Sequence, residues 1–247
     1  MTVSKNLGTI RCLNSAILLG FSVFMGCTTD SPGRMKAYLG PVPGAATDAA
    51  RTSPAERLQL PPGGLKVGLL VVNDTTNPDS APPLSQSRRI LMVDLVREFL
   101  EQDLPIQVVE VLPISDLPTG KSHINVIELG QKYGVDHVVL VIHSSEDNET
   151  PTHIGQGFMM TEMPGLEVVN YALVEMALLD AKTGRLILQA QGKGSELIQE
   201  LDVPIGADQP SKAEVRDILR INASKNALDR TMLEFDRLFA EVYQAKN

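Results

Sequence analysis

The sequence predicts an α/β fold in which a mixed sheet of about five strands is covered by helices. Three observations support this prediction. Aliphatic runs alternate with amphipathic segments over residues 65–145, which favours a largely parallel core. A hairpin pattern follows at 166–197, and a long amphipathic helix begins at Ser211. The predicted order is therefore β-α-β-α-β-β-β-α.

The first strand and helix of this order follow from apolar spacing. The run "LKVGLLVVN" at 65–73 is almost continuously aliphatic, as expected for a strand covered on both faces. A helix is predicted from Ser85 to about Gln102, because large apolar residues recur there at spacings of three and four. These residues are Leu91, Met92, Leu95, Val96, Phe99 and Leu100.

The next elements carry their own start and stop signals. The second strand is "PIQVVEVLP" at 105–113, and the third is "VDHVVLVIHSS" at 135–145. Between them, Asn125 with Glu128 three residues later is typical of a helix start, and Gly134 is typical of a helix end.

Two further strands and a helix complete the domain. In 166–197 two strands are joined by "DAKTGR", where Gly184 occupies the turn position that requires positive φ. Alternation of Val174, Met176 and Leu178 with Glu175 predicts one covered and one wetter face. Ser211 and Glu214 form a capping-box pattern before the last helix, in which Asn222 is a candidate position for a break.

The first residues of the chain predict export. Lys5 and Arg11 precede a 13-residue apolar run, Leu13 to Met25, which is shorter than the roughly 20 residues of a membrane-spanning helix. The segment 24–27, "FMGC", resembles a lipobox, the site at which bacterial lipoproteins are acylated on cysteine and cut just before it. The resemblance implies a signal peptide over 1–26, fatty chains such as palmitate on Cys27, and outer-membrane delivery because Thr28 follows the cysteine.

Composition agrees with this assignment and excludes several partners. The two cysteines are Cys12 and Cys27, so the chain after the predicted cut keeps one thiol and no internal disulfide. Its formal charge is −10, because removing two positive residues changes the value from −8. A surface this acidic argues against nucleic acid and against adhesion to anionic lipid, so membrane attachment is assigned to the lipid anchor.

The segment after Cys27 is rich in proline and glycine and lacks a periodic apolar face. We therefore predict a flexible tether over 27–64, and a single periplasmic α/β domain over 65–247. The 37 residues from 28 to 64 give a relaxed reach of roughly 30 to 35 Å. On this prediction the folded body stands clear of the membrane.

Several passages resemble known families. The opening strand after a linker, "YGVDHVVLV" and "LLDAKTGRLI" resemble the periplasmic α/β domain of the curli secretion lipoprotein and the amino-terminal domain of the Tol translocation protein. A narrower resemblance is to the rhombotarget lipoproteins, which share the lipobox, linker and "YGVD" order. These resemblances cover roughly 65–243 and imply a mixed sheet backed by helices. Their motifs are structural, so no catalytic residue is implied.

Candidate chemical residues are few. His143, Glu146, Asp147 and His153 lie within eleven residues and include ligands suited to zinc, but the stretch has the character of a polar loop leaving a strand. We expect no metal, no cofactor and no catalytic activity. Two alternatives remain: a hydrolase that uses His143 or His153, and a small-ligand site near Asn73, Ser144 and Ser145, at the strand ends.

The segment "HIGQGFMMTEMPG", 153–165, places large apolar residues in a connection between strands. Phe158, Met159, Met160 and Met163 are candidate partner-binding residues, because methionine-rich loops adapt to varied partners. The other interpretation is that the segment folds back as ordinary core. We expect a non-enzymatic envelope lipoprotein that acts as a protein-interaction or assembly module, with a protein partner or its own copies.

Overall fold

The computed structural model describes residues 34–39, 58–74, 81–82, 84–113, 123–155, 162–201 and 211–244. Cys27 lies outside these residues. The helices are α1 Arg34–Leu39, α2 Gln86–Gln102, α3 Val126–Tyr133 and α4 Lys212–Val242. The strands are β1 Leu58–Gln59, β2 Leu65–Asn73, β3 Ile106–Val111, β4 His137–Gly155, β5 Glu162–Asp180, β6 Leu186–Leu201 and β7 Tyr243–Gln244.

The predicted α/β class is confirmed. Five strands form one open sheet in the order β3-β2-β4-β5-β6, and β1 pairs with β7 in a separate two-stranded sheet. The pairs β2–β3 and β2–β4 are parallel, whereas β4–β5 and β5–β6 are antiparallel. The sheet is therefore mixed, as the sequence order indicates.

Helices cover both faces of the sheet. On one face α2 and α4 enclose the larger apolar cluster, which includes Val96, Leu100 and Phe235. On the other face α1 and α3 enclose a second cluster, which includes Met35, Leu129 and Leu140. The architecture is three layers, because a sheet with two apolar faces must bury each against another element.

The helix caps form where the sequence predicts them. The side chain of Asn125 accepts a hydrogen bond from the Glu128 backbone N–H, and Gly134 ends α3 with φ of 65°. Ser211 and Glu214 make the reciprocal bonds of a capping box at the start of α4, which continues through Asn222 without the break considered from the sequence.

The expectation of a wetter face on β5 is wrong at Glu175. Glu175 is fully buried, because α1 covers the face of β5 that the alternation predicts to be wet. In α2, Met92 and Val96 are buried but Leu91 and Leu95 are exposed, since only one side of the broad apolar stripe meets the sheet.

Part of the predicted tether is packed. Helix α1 lies within 27–64, and Met35 and Leu39 are buried against the sheet. Its sequence "RMKAYL" places large apolar residues at spacings of three and four, which is enough for one amphipathic turn. The ends predicted for the signal, tether and domain stay predictions.

Candidate interaction site

The longest strands of the sheet form an extension that we call the arm. Strand β4 pairs with β2 only as far as His143, opposite Asn73, and then continues for twelve residues, 144–155. These residues pair with 162–173 of β5, and 193–201 of β6 continue alongside. The arm consists of these three segments. At about 3.4 Å per residue it extends β4 by roughly 40 Å beyond its last pair with β2.

The arm contradicts the prediction that β4 ends near Ser145 in a polar loop. The antiparallel register between β4 and β5 is unbroken from His137 opposite Asp180 to Gly155 opposite Glu162. The polar side chains of 146–153 favour a loop when this stretch is considered alone. It forms a strand because β5 supplies both the hydrogen-bonded backbone and the apolar residues. Val168 of β5, for example, is fully buried.

A polar cluster joins the arm to α4. Asn170 of β5 is fully buried, and its Nδ2 donates to Asp147 Oδ1 at 2.7 Å. Arg220 of α4 donates from Nε to Asp147 Oδ2 at 3.0 Å and forms an ion pair with the same carboxylate. Partial burial acts to raise the pKa of Asp147, but the hydrogen bonds from Arg220 and Asn170 outweigh it and hold the pKa below its ordinary value.

Two more ion pairs lie beside the arm, one between α4 and β4 and the other between α4 and α2. Arg216 Nη1 of α4 lies 2.6 Å from Glu149 Oε1, and Arg88 of α2 lies 2.6 Å from Asp217 of α4. Helix α4 therefore supports one face of the arm along β4 as far as Glu149. A strand extension held in this way is stiffer than an isolated hairpin, which is marginally stable in water.

His143 forms a close pair with a serine hydroxyl, yet the pair is enclosed. Its Nε2 lies 2.8 Å from Ser224 Oγ, and Ser224 also donates to the Arg220 carbonyl at 2.7 Å. The exposed fractions are 3% for His143 and 4% for Ser224, and burial lowers the pKa of His143 to about 4. A substrate cannot reach this hydroxyl without movement of α4. The pair joins β4 to α4 at the residue where the arm begins.

Three of the residues considered for metal binding, His143, Glu146 and Asp147, do not converge. Strand alternation places His143 and Asp147 toward α4, whereas Glu146 faces the opposite side of the sheet and is exposed. Asp147 is already bonded to Arg220 and Asn170. Within the described ranges, no three histidine, cysteine or acidic residues are placed to hold a metal ion, and the side chain of His153 lies outside those ranges.

The residues proposed for a small-ligand site also separate. Ser144 and Ser145 point to opposite faces of β4, and Ser145 bonds to Asn170, at 3.2 Å from its hydroxyl to Oδ1. Asn73 Oδ1 is buried without a hydrogen-bond partner among the described atoms. A pocket of about 240 Å³ lies elsewhere, between α1, the start of α3 and the Gly184 turn, and is lined in part by His123 and Asn125.

The predicted partner-binding residues belong to the segment that connects the ends of the arm. Phe158, Met159 and Met160 lie outside the described residues, between Gly155 and Glu162. Met163 lies in β5 with its backbone opposite Ile154 of β4, and its side chain is outside the described part. The two strands that lead to this segment are paired up to their last residues.

The face of the arm that points away from α4 carries exposed apolar side chains. The exposed fractions are 51% for Tyr171 and 53% for Leu197, and Val169 is half-buried. No helix of the described ranges is both long and apolar enough to cross a membrane.

Comparisons with known proteins find solved structures of similar fold, but they do not assign this chain to a family. A scan against protein-family models finds no match, and a search of curated proteins finds none. Among solved structures, a neuraminyllactose-binding hemagglutinin homolog from Helicobacter pylori is 13% identical over 75% of this chain and 90% of that chain, with a TM-score of 0.39.

Two further similar structures are bacterial lipoproteins. Rare lipoprotein B from Shewanella oneidensis is 16% identical over 70% of this chain and 94% of that chain, with a TM-score of 0.31. A lipoprotein from Neisseria meningitidis is 11% identical over 62% and 92%, also with a TM-score of 0.31. Similarity at these TM-scores does not place the chain in a family or give it a function.

Proposed function

We propose that this chain is a non-enzymatic lipoprotein of the bacterial outer membrane, held by fatty chains on Cys27. In this proposal the α/β domain lies in the periplasm and acts as a protein-interaction or assembly module. The contact is made by Phe158, Met159, Met160 and Met163, at the end of the arm where β4 connects to β5. We call these four residues the tip. The partner is another envelope protein or a second copy of the chain.

The arm is the observation that carries the proposal. Its strands run about 40 Å past the last residue of β2, and they lead to a segment whose sequence is rich in methionine. Ion pairs of Arg216 and Arg220 with β4 support the arm from α4. A stiff extension reduces the ordering cost of binding, because less backbone freedom is lost when its tip docks.

The side chains at the tip suit a protein contact. Methionine is unbranched and polarizable, so it fits irregular apolar surfaces, and phenylalanine supplies a large apolar contact area. An acidic domain with an apolar tip is also expected to avoid nucleic acid and anionic lipid, since its net charge repels both. An apolar protein surface is the partner class that we propose for this tip.

The proposal is tested by site-specific photo-crosslinking in intact cells. A photoreactive residue at Met159 is expected to capture one protein reproducibly, whereas the same residue at Leu233, 73% exposed on α4, is not expected to capture it. A crosslink to a second copy of the chain supports the assembly version of the proposal.

A pair of variants then tests the tip chemistry. With the photoreactive residue at Phe158, the double variant Met159→Asp and Met160→Asp is expected to lose the crosslinked product, because charge on an apolar contact prevents its desolvation. Leu233→Asp serves as the control and is expected to retain it. Equal capture by all three proteins would contradict the proposed role of the tip.

A further inference from the structure

Helix α1 is fastened to the sheet by polar contacts at its first residues. The Met35 backbone N–H donates to Glu175 Oε2 at 3.1 Å, inside the protein. Arg34 Nη1 lies 3.2 Å from Asp74 Oδ2, and the Tyr38 hydroxyl donates to Asp74 Oδ1 at 3.0 Å. Both carboxylates belong to the central strands or their ends, so α1 is held by the most buried part of the fold.

Apolar burial and a backbone bond add to this attachment. Met35 is 2% exposed and Leu39 is 9% exposed, and both belong to the cluster that includes Leu70 and Leu140. The Tyr38 carbonyl accepts a hydrogen bond from the Ile124 backbone N–H at 2.7 Å, just before α3. Helix α1 is therefore an integral part of the domain.

The position of α1 in the sequence limits how far the domain can stand from a lipid on Cys27. Seven residue steps separate Cys27 from Arg34, and a fully extended chain covers about 3.3 to 3.6 Å per step. The lipidated cysteine and the start of α1 are thus at most about 25 Å apart. A free tether of 37 residues reaches several times further when extended.

We infer that α1 clamps the folded domain next to a bilayer, so that the surface around Arg34 and Asp74 lies within about 25 Å of the lipid headgroups. This inference rests on the lipid anchor proposed above. The proline-rich stretch between α1 and β1 then connects two parts of the same domain. It therefore does not set the distance between the domain and the membrane. Only the residues between Cys27 and Arg34 set that distance.

Two insertions of equal length test this division of the chain. Both carry 20 glycine and serine residues, one placed between Ser31 and Pro32 and the other between Ala46 and Thr47. The natively lipidated proteins are reconstituted in phosphatidylcholine vesicles that contain an acceptor-labelled lipid. A donor dye is attached at Leu233→Cys, which provides the reactive thiol because the sulfur of Cys27 carries lipid.

Energy transfer from the dye to the bilayer reports the separation. The insertion before α1 is expected to lower transfer efficiency about twofold, since 20 flexible residues add a reach of roughly 25 Å. The insertion after α1 is expected to leave the efficiency unchanged. Equal lowering by both insertions would overturn the inference, and so would no change with either one in vesicle-bound protein. If even the protein without an insertion fails to bind vesicles, the proposed anchor fails instead.

Discussion

Glu175 of β5 accepts a hydrogen bond at 3.1 Å from the backbone N–H of Met35, a residue 140 positions earlier in the chain. Gln189 of β6 donates to the other carboxylate oxygen, also at 3.1 Å. Burial raises the pKa of Glu175, and the bonds from Met35, Arg34 and Gln189 oppose that rise. Because the pKa of Glu175 is higher in the folded protein than in the unfolded chain, the free energy of unfolding decreases as the pH rises through the folded-state pKa.

Replacing Met35 tests whether α1 contributes to folding. Met35→Ala removes a side chain that is 2% exposed, so we expect the free energy of unfolding to fall by about 2 to 3 kcal/mol. Urea denaturation measures this loss. Lys36→Ala, on the exposed side of the same helix, is expected to change stability by less than about 0.5 kcal/mol. Indistinguishable midpoints would show that α1 is not docked.

His143 makes stability depend on pH. Its pKa is lowered from 6.5 to about 4 by burial, so the unfolded chain takes up a proton at this site before the folded one does. This contribution is present above pH 6.5 and is lost as the pH falls toward 4. The loss amounts to roughly 3 kcal/mol at pH 4, from the two pKa values.

The variant His143→Gln isolates that contribution. Its amide can still donate to Ser224, and it does not titrate, so the difference in stability between the parent protein and the variant is expected to shrink as the pH falls from 7 to 4. Denaturation at several pH values measures it. His123→Gln, at an exposed histidine, provides the control. A difference that stays constant with pH would contradict the assignment.

Arg220 holds the arm to α4 through a partly buried carboxylate. Arg220→Ala removes the arginine that forms the ion pair with Asp147, and we expect a loss of about 2 kcal/mol together with faster amide hydrogen exchange over 147–149. Arg237→Ala removes an arginine of the same helix whose ion pairs with Glu234 and Glu241 are exposed, and we expect a smaller loss of stability than in Arg220→Ala. Similar exchange in both variants would count against support of the arm by α4.

Gly192 allows α4 to approach the backbone of β6. A Cβ atom at this position would lie 2.2 Å from the Ala227 carbonyl oxygen and 2.6 Å from the Thr231 nitrogen, and neither backbone atom can move without displacing the helix. Gly192→Ala is expected to cost more than about 3 kcal/mol in urea denaturation. Ser195→Ala, exposed in the same strand, is expected to cost less than about 0.5 kcal/mol.

Local signals predicted the boundaries of most elements correctly. The caps at Asn125, Gly134 and Ser211 and the turn at Gly184 depend on a few neighbouring residues, and each forms as the sequence indicates. The apolar runs likewise gave the order of strands and helices, because period and length are properties of a short window.

Features set by distant residues could not be predicted in the same way. The polar half of β4 is a strand because β5 pairs with it, and Glu175 is buried because α1 covers it. For the candidate site, one signal was available: Asn170 shares its strand parity with the buried Val168 and Val174, which marks a polar residue on a covered face. Arg220 as its partner depends on where α4 lies.

The lipid on Cys27 is the central claim, because both the proposed location and the clamp by α1 depend on it. Intact-mass and peptide mass spectrometry of the protein isolated from its native membrane tests it directly. We predict an N-terminal peptide that begins at Cys27 and carries fatty acyl mass. An unmodified Cys27 thiol, or residues 1–26 still attached, would contradict the account.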